Sequence, residues 1–306
     1  MDRVTVGLDL GDRYSRYCAI DEAGKLVEEG RVRTEVDALC GCFSSEPRRV
    51  VLEVGTHSPW VSRTLEELGH EVIVANPRRL RFIWNESVKT DRKDAEQLAR
   101  VGRMDPELLQ PIRHRGKEAQ MDLAMLRSRD ALVRTRCSLA SHVRGTVKAA
   151  GHRIPTCSTP AFAKRAADHV PEVLKPALDP VLETIGTLTR QIRAYDRQVE
   201  QLCQDRYPAT ARLRGPKGVG ALTALAFVLV VEDPSRFNTS RAVGPYLGLR
   251  PKQRQSGESD PQLGITKAGD VMLRRLLVGS VHYGLRDRHL DGSASIGTDP
   301  NLHRTT

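Results

Sequence analysis

The sequence predicts an α/β domain at the N-terminus, a helical coiled-coil arm in the middle and a mostly helical domain at the C-terminus. The first hundred residues alternate strand and helix signals, and the middle third carries a long apolar heptad pattern. The last third opens with a glycine-rich turn before an apolar helix. With 306 residues, the chain is long enough to bury the cores of about two domains.

The N-terminal domain is predicted over residues 1–112 from the order β-β-β-α-β-α-β, which is typical of a mixed sheet covered by helices. An amphipathic helix over residues 60–68 is ended by Gly69. Predicted strands cover residues 4–10, 17–20, 25–32, 50–54 and 72–75.

The arm is predicted over residues 113–205, as two antiparallel helices joined by a proline-rich turn between residues 151 and 180. A weaker apolar stripe lies on the first helix, between Leu123 and Val147. The alternative is a pair of ordinary helices packed on the core. The apolar positions of the second helix recur in steps of three and four, at Val181, Ile185, Leu188, Ile192, Tyr195, Val199 and Leu202.

Positive charge is concentrated in the arm. The chain carries a net charge of +10, and residues 113–165 hold twelve Lys and Arg against three acids. This one-sided balance favours a phosphate backbone as partner, with Arg134, Arg136 and Arg144 as candidate contacts. The stretch has no Asn and few aromatic residues, which are side chains that recognise bases. We therefore expect it to bind phosphates and to recognise few bases.

Several protein classes are excluded by pattern. The N-terminus has no basic segment followed by an apolar one, as a secretory signal would, and the apolar run over residues 221–231 is too short to span a bilayer. The six cysteines show no zinc-binding spacing. We therefore expect a cytoplasmic protein with reduced cysteines and no membrane partner.

The C-terminal domain is predicted over residues 206–286. Lys217, Gly218 and Gly220 form a turn like that of a helix-hairpin-helix, in which glycines let a phosphate approach backbone N–H groups at a helix start. A basic helix follows Lys267 and carries Arg274, so both side chains are further candidate nucleic-acid contacts.

Four acids form a candidate catalytic and metal site. Asp9 and Glu53 end two apolar strands, and Asp91 and Asp94 share one face of a predicted helix. A solvated carboxylate is the ordinary explanation for each acid alone. Because a carboxylate in an apolar strand is costly unless it is paired or metal-bound, the four together predict a divalent-metal site for phosphodiester chemistry.

The chain resembles the DEDD-type insertion-sequence transposases, a family of bridge-RNA-guided recombinases, over residues 4–285. The matching N-terminal motifs are Gly7-Leu8-Asp9-Leu10-Gly11, the segment from Leu52 to Ser58, Ala75-Asn76-Pro77 and Lys89-Thr90-Asp91-Arg92-Lys93-Asp94-Ala95. The matching C-terminal motifs are Gly218-Val219-Gly220, Tyr246 to Pro251, Gln255-Ser256-Gly257, Ile265 to Asp270 and Leu273 to Leu277.

The resemblance implies an N-terminal domain of the RuvC/RNase H type whose acidic tetrad is Asp9, Glu53, Asp91 and Asp94 with Mg²⁺. It implies that Ser256 attacks a DNA phosphodiester and forms a phosphoserine link, beside a metal site from another subunit. Donor and target DNA, a guide RNA and a homodimer or tetramer on nucleic acid are the implied partners.

The residues around Ser256 are consistent with this role. Gly257 allows close backbone approach, and Lys252 and Arg254 could hold a phosphate, while Ser259 is a nearby rival nucleophile.

The end of the chain departs from the family pattern. Residues 287–306 show no apolar periodicity, and we expect them to be unstructured, like a truncated C-terminus. Two other functions stay open, the first supported by the α/β domain alone and the second by this C-terminus. One is a Holliday-junction-resolvase-like metal nuclease, and the other is a catalytically inactive nucleic-acid-binding remnant.

Overall fold

The computed structural model describes residues 4–44, 46–76, 91–255, 259 and 261–290, without the side chains of Asp91 and residues 286–290. The chain divides into two compact units, Met1–Arg115 and Gly116–Thr306.

The first unit is built on a five-stranded mixed sheet in the order β3-β2-β1-β4-β5. Strands β1 to β3 are antiparallel, whereas β1, β4 and β5 are parallel. The mixed sheet confirms the predicted α/β domain. The strands are β1 (Thr5–Asp9), β2 (Tyr14–Ile20), β3 (Leu26–Arg33), β4 (Arg49–Glu53) and β5 (Glu71–Ala75).

Helices cover both faces of this sheet. Helices α1 (Val36–Phe43) and α2 (Ser58–Glu67) pack on one face, against a buried cluster that includes Leu8 and Leu52. Helix α3 (Asp91–Met104) covers the opposite face, where it lies against β1 and β2. The alternation of side chains along β1 and β4 explains these two apolar layers.

The second unit begins with a helical hairpin made by α4 (Lys117–Ala149) and α6 (Lys175–Asp205). Arg129 of α4 contacts Asp196 of α6, and Arg136 of α4 contacts Thr189 of α6. Residue numbers therefore decrease along α6 as they increase along α4, so the two helices are antiparallel. Helix α5 (Phe162–Ala167) closes the tip of the hairpin.

The apolar seam of α6 is partly as predicted. Ile185, Leu188, Ile192 and Val199 are buried, whereas Val181, Tyr195 and Leu202 are partly exposed. The base of the hairpin contributes Leu123, Leu126, Val199 and Cys203 to one cluster with the C-terminal helices. The hairpin therefore packs on a core at its base, and a coiled coil stays a prediction.

The C-terminal helices complete the second unit. They are α7 (Thr210–Leu213), α8 (Ala221–Val231), α9 (Val243–Tyr246) and α10 (Val271–Leu290). The boundaries predicted at residues 205 and 286 both fall inside this unit. Residues 287–290, expected to be unstructured, are helical because α10 continues to Leu290, and residues 291–306 lie outside the described residues.

No helix in the described part of the chain is long and apolar enough to cross a membrane.

Candidate active site and nucleic-acid contacts

Asp9 and Glu53 lie side by side at the carboxyl edge of the sheet. Leu8 pairs with Leu52 in the parallel register of β1 and β4, and each acid is the next residue of its strand. Both acids are half-buried. Because side chains alternate along a strand, each acid shares the face of the residue two positions before it, which is Gly7 or Val51.

That face is the one covered by α3. A Cβ atom at Gly7 would lie 1.9 Å from the Ala95 carbonyl oxygen, and one at Gly102 would lie 2.3 Å from Val51 Cγ2. Glycine at these two positions lets the helix approach the sheet closely. Asp9 and Glu53 therefore point to the side of the sheet on which α3 lies.

The direction of α3 places its first turn at the same edge. Its last turn lies beside the start of the strands, since Arg49 Nη1 donates to the Gly102 carbonyl at 3.0 Å and Arg103 Nη1 to the Glu22 carbonyl at 2.8 Å. The helix therefore runs antiparallel to β1 and β4. This places Asp94, which is half-buried, and the backbone of Asp91 near the carboxyl edge.

The donor set at this edge suits a hard divalent cation, because carboxylate oxygens are the ligands that Mg²⁺ prefers. Among the side chains that the structure describes, no three His, Cys, Asp or Glu residues form a group that could hold a metal ion. The Asp91 side chain is outside that set. Asp9, Glu53 and Asp94 lie towards one edge of the sheet, and metal binding by them stays a prediction.

A histidine that the sequence analysis gave no role lies at the same edge. Trp60 Nε1 donates to His57 Nδ1 at 3.1 Å, and His57 Nε2 lies 3.7 Å from Asp12 Oδ1. The Ser58 hydroxyl holds the turn before α2 through the Gly55 carbonyl at 2.8 Å. The signal was available in the sequence, since His57 follows Glu53 by four residues within a family motif.

The candidate nucleophile Ser256 and its neighbour Gly257 lie outside the described residues. The two ends of their loop are paired: the Lys252 amide donates to the Gly264 carbonyl at 3.0 Å, and the Thr266 amide to the Arg250 carbonyl at 2.9 Å. Lys252, Arg254 and Ser259 are exposed. The described residues on either side of Ser256 are therefore joined by backbone hydrogen bonds, and Lys252 and Arg254 are accessible cations.

Arg274 does not lie on the surface, contrary to the prediction that it contacts nucleic acid. Its side chain is only 8% exposed, and Nη1 donates to the carbonyls of Leu247 and Ala268. A Cβ at Gly269, which has a φ of +71°, would lie 2.1 Å from the Tyr246 carbonyl oxygen. Arg274 therefore joins two closely packed backbone segments that lead into the Ser256 loop.

Two of the three arginines predicted to contact phosphate on the arm are also engaged inside it. Arg136 is 7% exposed and donates to Thr189 Oγ1 at 3.4 Å, and burial lowers the pKa of its guanidinium. Arg144 donates to the Ile154 carbonyl at 3.1 Å and lies over the Phe162 ring. The sequence does not predict these contacts, because their acceptors belong to other segments of the hairpin: Thr189 for Arg136 and Ile154 for Arg144.

Arg134 remains a surface candidate, although it pairs with Asp130 at 3.2 Å. Other cations of α4 are also paired, Arg127 with Asp270 and Arg129 with Asp196. Acids from α6 and from the residue before α10 thus neutralise part of the charge on α4. The positive charge on the surface of the arm is therefore smaller than the sequence of residues 113–165 suggests.

In the glycine-rich turn before α8, Gly218 packs closely against another helix and Gly220 does not. Gly218 has a φ of +90°, and a Cβ there would lie 2.2 Å from the Ser280 carbonyl oxygen of α10. A Cβ at Gly220 would meet nothing within 4 Å. Lys217 is exposed. Phosphate binding by this turn stays a prediction.

Two family models match this chain. One, a DEDD transposase model of the IS110 type described as "Transposase", matches residues 6–151. The other, described as "Transposase IS116/IS110/IS902 family", matches residues 210–287.

Curated relatives cover most of the chain. The "Transposase for insertion sequence element IS1111A" of Coxiella burnetii is 29% identical, with 92% of this chain and 78% of that protein aligned. The "Transposase for insertion sequence element IS1328" of Yersinia enterocolitica is 29% identical over 91% of this chain and 83% of that protein. A solved structure of T. thermophilus RuvC with a Holliday junction substrate is 13% identical, with a TM-score of 0.26, over 32% of this chain and 90% of that one.

Proposed function

This chain belongs to the IS110 family of DEDD transposases, and we propose that it cuts and rejoins DNA with a metal-binding acidic tetrad and a serine nucleophile. The observation that carries the proposal is the meeting of strand ends and helix start at one sheet edge. Asp9 and Glu53 end two adjacent strands, and Asp94 lies in the first turn of the helix that packs on them, which supports a shared role for the three acids.

Asp9, Glu53, Asp91 and Asp94 would hold divalent cations, with Mg²⁺ as our first choice. When bound, the cations would supply Lewis-acid activation of the attacking oxygen and charge stabilisation of the leaving oxygen of a phosphodiester. The chain's own contribution is to fix the carboxylates on two adjacent strands and a helix that packs tightly on them. Rigid placement of this kind lowers the cost of organising the charges during the reaction.

Ser256 would perform the covalent step. Its hydroxyl oxygen attacks phosphorus and forms a phosphoserine ester, while the bond from phosphorus to one deoxyribose oxygen breaks. The serine proton passes to solvent, and the leaving oxygen takes up a proton and becomes a hydroxyl. A hydroxyl of a second DNA strand then attacks the same phosphorus and releases the serine. Lys252 and Arg254 are exposed in the same loop and suit the phosphate charge.

We assign sequence choice to a guide RNA. The arm has few groups for base recognition, and several of its cations are paired within the protein. A protein surface of this kind binds the phosphate backbone of a nucleic acid, and base pairing with the guide selects the sequence. Because strand exchange holds two DNA molecules at once, we expect a dimer that becomes a tetramer on nucleic acid.

The test combines the purified chain, donor DNA, target DNA, Mg²⁺ and the non-coding RNA that flanks the element. We expect strand exchange from the parent and from Ser259→Ala, and none from Asp9→Ala or Ser256→Ala. Without the RNA, we expect target choice to be lost. Exchange by Ser256→Ala at the parental rate, or selection of a target in the absence of RNA, would show the proposal to be wrong.

The ribonuclease H-like sheet with its edge of carboxylates also favours a second candidate, a metal nuclease of the Holliday-junction-resolvase type. The products separate the two candidates. Free 5′-phosphate ends with no protein–DNA adduct after denaturation would favour the nuclease. Nucleic-acid binding without cleavage under any divalent metal would identify an inactive remnant.

A further inference from the structure

One loop follows Asp9 at the end of β1, and another follows Glu53 at the end of β4. The two loops contact each other at this edge of the sheet. The loop after β1 contains Asp12, and the loop after β4 contains His57, whose Nε2 lies 3.7 Å from Asp12 Oδ1. Both residues therefore lie at the edge at which Asp9 and Glu53 end their strands. In open α/β sheets, ligands bind in the crevice outside the carboxyl ends of the strands.

The tautomer of His57 is fixed by its other neighbour. The indole N–H of Trp60 can only donate, and it points at His57 Nδ1 from 3.1 Å. Nδ1 must therefore accept, and the neutral ring carries its hydrogen on Nε2. The backbone adds to this rigidity, because the amides of Trp60 and Val61 both donate to the His57 carbonyl at the start of α2.

The Nε2–H group lies near the Asp12 carboxylate, which is too distant to accept a hydrogen bond from it. The 3.7 Å separation from Asp12 is longer than a normal hydrogen bond, and the Asp12 side chain is 94% exposed. Arg13 and Arg16, which follow on the same chain segment, are exposed as well. The site thus offers one oriented donor, a displaceable carboxylate and nearby positive charge.

We infer that His57 Nε2–H binds a non-bridging phosphate oxygen of the DNA strand that enters the carboxylate edge, in place of Asp12. The inference rests on the proposed function, since it needs DNA as the substrate. The phosphate presents the same kind of acceptor as the Asp12 carboxylate. Asp12 is then a nearby negative charge with which the phosphate competes for the donor, and Trp60 keeps the donor on the correct nitrogen.

The test measures DNA affinity without metal, so that it does not depend on catalysis. A labelled duplex carrying one end of the element is titrated with the full chain in EDTA and followed by fluorescence anisotropy. His57→Ala should weaken binding about tenfold, the effect expected for one hydrogen bond to a charged acceptor. His57→Gln, whose side-chain amide presents N–H at the position of Nε2, should stay within about threefold of the parent.

Two further variants test the neighbours. Asp12→Asn should bind DNA more tightly than the parent, because the competing charge is removed. Trp60→Phe keeps an aromatic ring but frees the tautomer, and it should weaken binding less than His57→Ala does. Thermal unfolding of each variant separates a loss of contact from a loss of fold.

The outcomes separate this inference from the proposed function. Parental affinity in His57→Ala, or equal loss in His57→Ala and His57→Gln with unchanged melting temperatures, would overturn the role of His57. An Asp12→Asn variant that binds DNA no more tightly than the parent would show that Asp12 does not compete with the DNA phosphate. A parent chain that binds no DNA, either alone or with the guide RNA and Mg²⁺, would instead contradict the proposed function.

Discussion

Arginine side chains that look alike in the sequence differ in what surrounds them. Arg274 and Arg275 are adjacent on α10, yet Arg274 is 8% exposed and bonds two backbone carbonyls, while the Arg275 side chain is 49% exposed and pairs with Asp130. A buried guanidinium must find acceptors, because burying an unpaired charge costs several kcal/mol. An exposed ion pair contributes little to the free energy of unfolding, since water screens the attraction between its charges.

This difference predicts opposite results for two neighbouring substitutions. Arg274→Ala leaves the Leu247 and Ala268 carbonyls without their donor, so we expect the free energy of unfolding to fall by about 2–4 kcal/mol. Arg275→Ala, the matched control, should change it by less than about 1 kcal/mol. Urea unfolding measures both. Equal stability of the two variants would show that Arg274 does not join these segments.

At the scale of elements, the candidate site depends on how closely α3 approaches the sheet. Gly7 faces the α3 backbone, and a Cβ atom there would lie 1.9 Å from the Ala95 carbonyl oxygen. Backbone cannot give way as a flexible side chain does, so the whole helix must move. Moving α3 also moves Asp94 away from the edge at which Asp9 and Glu53 lie.

We therefore expect Gly7→Ala to lower the free energy of unfolding by about 1–3 kcal/mol or more and to abolish strand exchange. Gly55→Ala is the control close to the same edge, because a Cβ at Gly55 meets nothing within 4 Å. It should stay within about 0.5 kcal/mol of the parent. Thermal unfolding and the exchange assay check the pair. A Gly7→Ala chain with parental stability would mean that α3 does not pack as described.

At the scale of the whole molecule, burial divides the six cysteines. Cys137 is exposed, Cys18 and Cys203 are buried, and the other three are half-buried. Burial raises the pKa of the thiols of Cys18, Cys42 and Cys203, so less of the reactive thiolate forms at neutral pH.

One thiol should therefore react quickly with a maleimide in the native protein at neutral pH, and it should be Cys137. Cys137→Ser should remove the fast phase and leave the slow labelling unchanged. Mass spectrometry of the labelled peptides checks the assignment. Fast labelling of several cysteines in the folded parent would contradict the burial pattern.

The elements and the candidate residues can be predicted from local pattern. Strand alternation locates Asp9 and Glu53 at strand ends, and the helical period locates the seam of α6, because both patterns depend on neighbours in the chain. Which positions share an edge, and which cations are enclosed, depends on contacts between segments that are far apart in the chain. The direction of α3 places Asp94 near the strand-end acids, and acceptors distant in sequence enclose Arg136 and Arg274. The Asp12–His57 contact joins loops from two strands, and local pattern carries no information about such a meeting.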